Sequence, residues 1–409
     1  MKALCKNASA SAGENALFAA LFLFCIIASR SASATTIHAI NSGDWDETST
    51  WNCGCLPASA DDVIIEGYKV TVSSATGTVT VASISITNAT GRGTSELKVE
   101  NDAILNVTGT FSMTAYNQDE KVSFKTDDEA VVNIGGNFSA LRTFDNNEAE
   151  KLKIKMKKSS AVHVAGDMSF IYFNSSELEQ SEEIILEDSS FLDVSGNVFL
   201  QIAGGQSFEC MLYNSSEFSV GGGFILIQSG GNQTDFTLGD SSYFHTAGSA
   251  SFIVFGGDME MRVATDYNAV FRTGNNCNLI STFASKDLKL DLKGFQFVGD
   301  SLNFSAQGAD DITLDLKSNA TLELGGIITR NGGYGILKMD SGALLRYAGS
   351  SGIQQLAANE GTESDTFEFS NIEINNTSGQ PLLLEGPVSL TGHMTLTNGV
   401  VRSDTTNVL

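Results

Sequence analysis

The chain has little positive charge: 24 lysines and arginines stand against 48 aspartates and glutamates, a formal net charge of −24 at pH 7. Nucleic acid and anionic membrane surfaces both require a basic face, so neither fits as a partner. Long apolar runs are absent too. Past the N-terminal segment none approaches the ~18 residues of a membrane-spanning helix, so an integral membrane protein is not expected. No Asp-x-Asp-x-Asp-Gly loop and no Gly-Gly-x-Gly-x-Asp tract occurs, which removes the two common calcium-binding frames. The acidity is compatible with calcium, but its simpler reading is a surface that keeps an exported protein in solution.

Cysteine and histidine are sparse, at six and four residues. Lys2 and Lys6, an apolar run from Ala16 to Ala28, and Ala32-Ser33-Ala34 read as a secretory signal cleaved after Ala34,. Residues 1–34 are therefore expected to leave, taking Cys5 and Cys25 with them. Cys53, Cys55, Cys210 and Cys277 remain, and an oxidising compartment permits disulfides among them without dictating a pairing. Cys53-Gly54-Cys55 has no nearby Cys or His to complete a zinc shell,. Cys210 matches Ile184 one repeat earlier and reads as a small buried hydrophobe.

What the chain has in abundance is glycine, 40 residues, and some of it is periodic. Glycine recurs at Gly109, Gly136, Gly166, Gly196, Gly222, Gly248, Gly274, Gly299, Gly325 and Gly349, at gaps of 24 to 30 residues. Before it come alternating segments such as Ser190-Phe191-Leu192-Asp193-Val194, the period of a strand. A second alternating run lies upstream, as in Leu152, Ile154 and Met156, and a third follows the glycine, as in Phe224-Ile225-Leu226-Ile227. Three short strands in about 26 residues predict an all-β fold, a single-stranded parallel β-helix with three-strand coils stacked ~4.8 Å apart. A meandering antiparallel barrel would need no in-phase repeat. Small polar pairs such as Ser159-Ser160, Ser189-Ser190 and Ser215-Ser216 precede one strand of each coil and predict turns. The recurrent glycine is expected to mark either a corner with positive φ or a close approach between coils. The organisation expected is an N-terminal cap over 35–90, β-helix repeats over 91–350, and further β coils over 351–409.

Aligning the repeats on their glycines places Asp127, Lys157 and Glu187 in one column and Asp128, Lys158 and Asp188 in the next. The basic run Lys151, Lys153, Lys155, Lys157 and Lys158 then reads as part of a cross-strand charge ladder rather than a ligand patch. The outward positions of the strand before the glycine run Asn133, His163, Asp193, Ser219, His245, Arg272, Gln296, Glu323 and Arg346. No residue type persists, so this column is not the regular threonine face of an ice-binding solenoid. His163 beside Asp193 supplies two groups, too few for a metal shell or a triad.

The head differs from the repeat. Ser42-Gly43-Asp44-Trp45 is followed by Ser49-Thr50-Trp51, Leu56-Pro57, Asp61-Asp62-Val63-Ile64-Ile65 and Gly67-Tyr68-Lys69-Val70-Thr71-Val72, and both tryptophans of the chain lie here. They are placed to seal the open end of a β-helix. This stretch resembles the head of the domain named for its eight glycines, which opens many secreted β-helix proteins, including surface proteins of Bacteroidetes-type bacteria. The tail, Phe369-Ser370-Asn371-Ile372-Glu373-Ile374 and Leu384-Glu385-Gly386-Pro387-Val388 through Thr397, is similar to those proteins as well. The resemblance covers head and tail, about a quarter of the chain. It implies extracellular adhesion or glycan contact, and often a C-terminal sorting domain. Here Asn407-Val408-Leu409 closes the chain with no such domain, which reads as a fragment of a longer surface protein or another export route.

The function expected is a non-catalytic, adhesin-like or surface-scaffold solenoid, secreted or at the cell surface, meeting extracellular glycans or cell-surface components. The alternative is a polysaccharide lyase or glycoside hydrolase, which needs two carboxylates at set separation or a base beside charge-neutralising groups. Asp61-Asp62 and Asp310-Asp311 are adjacent in strand-like segments and so point apart. No catalytic, cofactor-binding or metal-ligating residue is nominated. Tyr116, Tyr172, Tyr213, Tyr243 and Tyr267 are candidates for sugar stacking or for packing within coils. Asn-x-Ser/Thr sequons at Asn88, Asn106, Asn137, Asn174, Asn214, Asn232, Asn303, Asn319 and Asn376 are expected in surface turns, where a eukaryotic secreted protein would carry glycans,.

Overall fold

The computed structural model describes residues 34–403 apart from 89–92, 117–120, 143–151, 175–181, 205–206, 230–232, 256–259, 283–287, 307–310, 332–333, 350–353, 357–368 and 385–389. The signal segment 1–33, Lys151, Asn232 and Asp310 lie outside the described residues. The chain winds through three walls. The first strand of each coil, from Gly43–Asp44 and Lys69–Val72 onward, builds a twelve-stranded sheet. The second, from Thr78–Val81 and Ile104–Val107 onward, builds a thirteen-stranded sheet. The third, from Thr36–His38 and Asp62–Glu66 onward, builds another of twelve. Neighbouring strands are parallel, with Val122 beside both Ser95 and Leu152, one coil back and one coil on. This is the parallel β-helix that the glycine spacing predicts. Among the described residues no helix is long and apolar enough to cross a membrane.

Strand alternation sends every second side chain inward, and the inward residues of all three walls form one continuous core,. Phenylalanines stack along it: Phe244 meets Phe224 at 4.9 Å, Phe236 at 5.1 Å and Phe271 at 5.3 Å between ring centroids. Each buried ring of this kind contributes about 1.5–3 kcal/mol. Cys210 lies inward beside Ile184, as its repeat position requires, and burial pushes its thiol well above the ordinary range. Cys277 is likewise buried and free, its thiol pushed up to about 12 by burial. The remaining pair, Cys53 and Cys55, forms a disulfide in the exposed head loop.

The two corner devices divide the roles that sequence left joined. Positive φ belongs to the turn before the second-wall strand, where Lys158 and Ser159 take +50° and +58°, Asp188 and Ser189 +55° and +61°, and Asn214 and Ser215 +54° and +63°. Two successive left-handed residues make a tight reversal that Asn, Asp and Ser tolerate better than most. The next serine is buried, and at Ser216 its hydroxyl donates to the Leu186 carbonyl of the preceding coil at 3.0 Å. The recurrent glycines have no positive φ; they are places of close approach. Gly166 donates its amide to the Gly136 carbonyl at 3.1 Å, and Gly222 donates to that of Gly196 at 2.8 Å. Beside this ladder, Asn137 accepts the Asp167 amide at 3.0 Å, Asp167 the Asn197 amide at 2.7 Å, and Asn197 the Gly223 amide at 2.9 Å.

At the head, Trp45 and Trp51 are both buried, edge to face at 4.8 Å, and the Trp51 indole donates to the Trp45 carbonyl at 2.9 Å. They close the apolar column above Ile37 and Val63. Asp61 is buried and accepts the Ala58 amide at 2.8 Å, while Asp62 opens a third-wall strand and accepts the Ser83 hydroxyl. Both carboxylates of this pair serve the head's own hydrogen bonds.

Candidate functional site

Four-residue strands of the second wall expose their first and third side chains. Over the coils from Ala161 to Val298 the third positions run His163, Asp193, Ser219, His245, Arg272 and Phe297. Phe191, Glu217, Tyr243 and Phe295 stand among the first positions beside them. The result is a flat strip in which rings and polar groups interleave. His163 packs edge to face on Phe191 at 5.6 Å, and its Nδ1 lies 3.7 Å from Asp193 Oδ2. Tyr243 stacks over His245 at 6.1 Å and 25°, and the Arg272 guanidinium lies 4.9 Å from the Phe297 ring centre. At the adjoining turn Tyr267, 56% exposed, carries Lys293 Nζ at 5.4 Å.

Two titrations on this strip depart from the ordinary. Burial, and then the nearby Asp193 carboxylate, raise the Glu217 carboxyl. Burial, and then Arg272, lower the His245 imidazole, which favours its neutral form with one donor and one acceptor,.

The outward column departs from expectation at one residue. Phe297, not Gln296, stands between Arg272 and Glu323. Only Lys293 and Gly294 separate the first-wall strand ending at Leu292 from Phe295, whereas Asp266 to Ala269 separate Thr265 from Val270. The shorter turn, with Gly294 at φ +71°, drops the small residue that other coils bury there, while the strand Phe295–Val298 keeps the register of its neighbours. Gln296 points inward instead and fills the gap. Its Oε1 accepts the Phe271 amide at 2.7 Å, and its Nε2 donates to Thr265 Oγ1 at 3.1 Å. The recurrent glycine has moved by one residue here, since Asn275 and not Gly274 donates to the Gly248 carbonyl, so a count back from Gly299 lands on Gln296 instead of Phe297.

The chain matches no known protein family, no curated protein and no solved structure. Its chemistry must be read from its own surfaces.

The first wall is the charged one. Lys157 meets Glu187 at 2.7 Å, Lys155 meets it at 3.4 Å, Lys153 pairs with Glu183, and Lys158 reaches Asp128 at 2.9 Å. These pairs are the cross-coil ladder expected of the basic run. Farther on, Asp291 and Asp315 stack on adjacent coils as register partners, with Lys317 close to both. They are announced by the near-repeat Leu288-Lys289-Leu290-Asp291-Leu292-Lys293 and Ile312-Thr313-Leu314-Asp315-Leu316-Lys317, in which the two acids are a coil apart rather than adjacent in sequence.

The tyrosines divide. Tyr172 is fully buried, with Arg142 over its ring at 5.1 Å, and offers no sugar a surface. The Tyr213 hydroxyl donates to Met211 Sδ at 3.2 Å. Tyr116, Tyr243 and Tyr267 reach the surface. The sequons divide too: two are buried and two more lie within strands, which contradicts a surface-turn placement for all four. Asn88 is buried and accepts the Tyr116 amide at 2.7 Å, and Asn376 is buried and donates to the Gln380 carbonyl at 2.9 Å. Both act as internal hydrogen-bond partners. Asn137, Asn214 and Asn319 do lie at exposed turns, whereas Asn106 and Asn303 lie within strands, in side-chain ladders with Asn133 and Asn278.

Proposed function

We propose that this chain is a non-catalytic extracellular β-solenoid, adhesin-like or a surface scaffold, and that the second wall from His163 to Phe297 contacts neutral or weakly acidic glycans. The observation that carries the reading is the interleaving of Phe191, Tyr243, Phe295 and Phe297 with His163, Asp193, His245 and Arg272 on one flat sheet. Sugar rings present C–H faces to aromatic side chains and hydroxyls to groups that both donate and accept. The net charge of −24 disfavours polyanionic partners,. The signal-like residues 1–34 and the resemblance of the head to the eight-glycine domain support export and a place outside the cell.

A second reading rests on Glu217 and Asp193. A carboxyl raised by burial beside a second carboxylate is the pairing that glycoside hydrolysis uses,. Against it stands the placement of both groups on outward positions of a sheet, whereas hydrolases enclose the scissile bond in a cleft that sheds water,. A glycan array probed with and without calcium, followed by mass spectrometry of each bound glycan, separates the readings. Binding that Tyr243→Ala weakens about tenfold, with glycan length unchanged, supports contact alone. Shortened glycans would establish the enzyme, and an array silent under both conditions would remove the glycan reading.

A further inference from the structure

The third wall is almost free of charge. Its nine successive strands from Ser83–Thr87 to Leu302–Ala306 contain one charged side chain, Arg142, and that one turns inward over Tyr172. The chain as a whole is 18% charged, and the first wall of the same coils carries dense ion pairs.

What replaces charge on the outward positions is ordered along the rod. At the middle stand Ile171, Phe199, Ile225, Ile227, Ile253 and Ile280 on consecutive coils, with Gln201 and Ser251 among them. Toward the head they give way to Ser85, Thr87, Ser112 and Thr114, and toward the tail to Asn303 and Ser305. Each is partly open to solvent. An apolar centre between two polar ends is the anatomy of a protein interface.

We infer that this wall is the contact between two copies of the chain. Nine strands ~4.8 Å apart and about five residues long span roughly 700 Å², close to the ~800 Å² per partner of a standard stable interface. The pattern is also self-complementary. A two-fold axis lying in the contact plane, along the strand direction and between Val198–Gly204 and Phe224–Gln228, lays apolar centre on apolar centre and each polar end on the opposite polar end,. Charge selects this wall over the others. Two molecules of −24 repel, and the third wall lets them approach with fewest like charges facing,. Added salt, which screens the repulsion of the outer walls, strengthens such a dimer. The inference is independent of glycan contact on the second wall, which stays exposed in the pair.

Sedimentation equilibrium of the full chain over a range of concentrations tests it. The expected result is a twofold mass at high concentration, with dissociation on dilution and tighter association in salt. Ile227→Asp and, separately, Ser251→Asp place charge at the centre of the wall and return the mass to that of one chain. Thr237→Asp on the first wall leaves the twofold mass intact, and circular dichroism checks that all three variants fold. A wild-type chain that stays monomeric at every concentration overturns the inference. So does a dimer that survives both third-wall substitutions.

Discussion

The amide of Gly196 donates to the carbonyl of Gly166 at 3.1 Å, and a Cβ added to Gly196 would lie 2.6 Å from that same oxygen. Coil-to-coil spacing at this corner is therefore set by the absence of a side chain. The backbone of each coil rests directly on the one before it.

Gly196→Ala is expected to destabilise the solenoid by about 1–3 kcal/mol, the range for forcing a methyl into a packed position. The obstacle is backbone, with Asp167 Oδ1 a further 2.4 Å contact, so no single rotamer change relieves it. Gly77→Ala is the useful comparison. That glycine has open space around it and φ +72°, so its cost is conformational only, about 1 kcal/mol,. Urea denaturation of both variants checks the order; equal losses would refute the close-approach account of the glycine ladder.

Gln296→Leu tests the inward placement of Gln296. It keeps the volume but leaves the Phe271 amide without its 2.7 Å acceptor, while Thr265 Oγ1 keeps its hydrogen bonds to Lys293. A stranded buried amide costs about 1–3 kcal/mol. Were Gln296 an outward side chain, the same change would be nearly neutral. Chemical denaturation distinguishes the two outcomes.

Periodicity carried the architecture because stacking forces it. Each coil must repeat the same three strands in phase, so Gly109 to Gly349 and the alternation before them sufficed for a parallel β-helix. Contacts within a column were legible wherever coils kept equal turn lengths, as for Lys157 with Glu187 and His163 with Asp193. They failed where the recurrent glycine moved by one residue within the coil, Asn275 and not Gly274 donating to the Gly248 carbonyl, because a count one residue off lands on the other face of the strand,. The aromatic strip was missed for that reason: Phe297 was hidden behind Gln296, and Phe191, Tyr243 and Phe295 belong to the neighbouring column. The neutrality of the third wall escaped notice because each of its strands looks ordinary alone. Only their register shows that no charge interrupts them.

Arg346 joins three coils, with Nη1 3.1 Å from Glu323 and Nε 2.8 Å from Glu373. The guanidinium hydrogen bond holds the Glu373 carboxyl below its ordinary value, with the Thr397 hydroxyl adding to the effect. A carboxyl depressed in the folded state contributes stability at pH values above its unfolded pKa, about 4.3. That contribution is lost as pH falls through the depressed folded value. Wild type should therefore lose more thermal stability than Glu373→Gln on acidification below pH ~4.3. Parallel melting curves for the two proteins would show that Arg346 does not stabilise this end of the rod through Glu373.

Glu217 has the opposite sign. Burial and the Asp193 carboxylate raise its carboxyl in the folded protein, so over the interval between the unfolded and folded pKa the native state holds a proton that the unfolded chain has released,. Its proton linkage favours folding below that interval and is lost as pH rises through the folded value. Above it, an ionised carboxylate remains half-buried beside Asp193. Glu217→Gln removes that charge while keeping the shape, so at neutral pH the variant should melt no lower than wild type, and its melting temperature should fall less as pH rises from 4 toward 7. The same substitution separates the two functional readings. If Glu217 only lines a contact surface, Glu217→Gln keeps glycan binding within about threefold, the scale of a peripheral contact. If it is the proton donor of a hydrolase, every trace of glycan shortening disappears while binding persists.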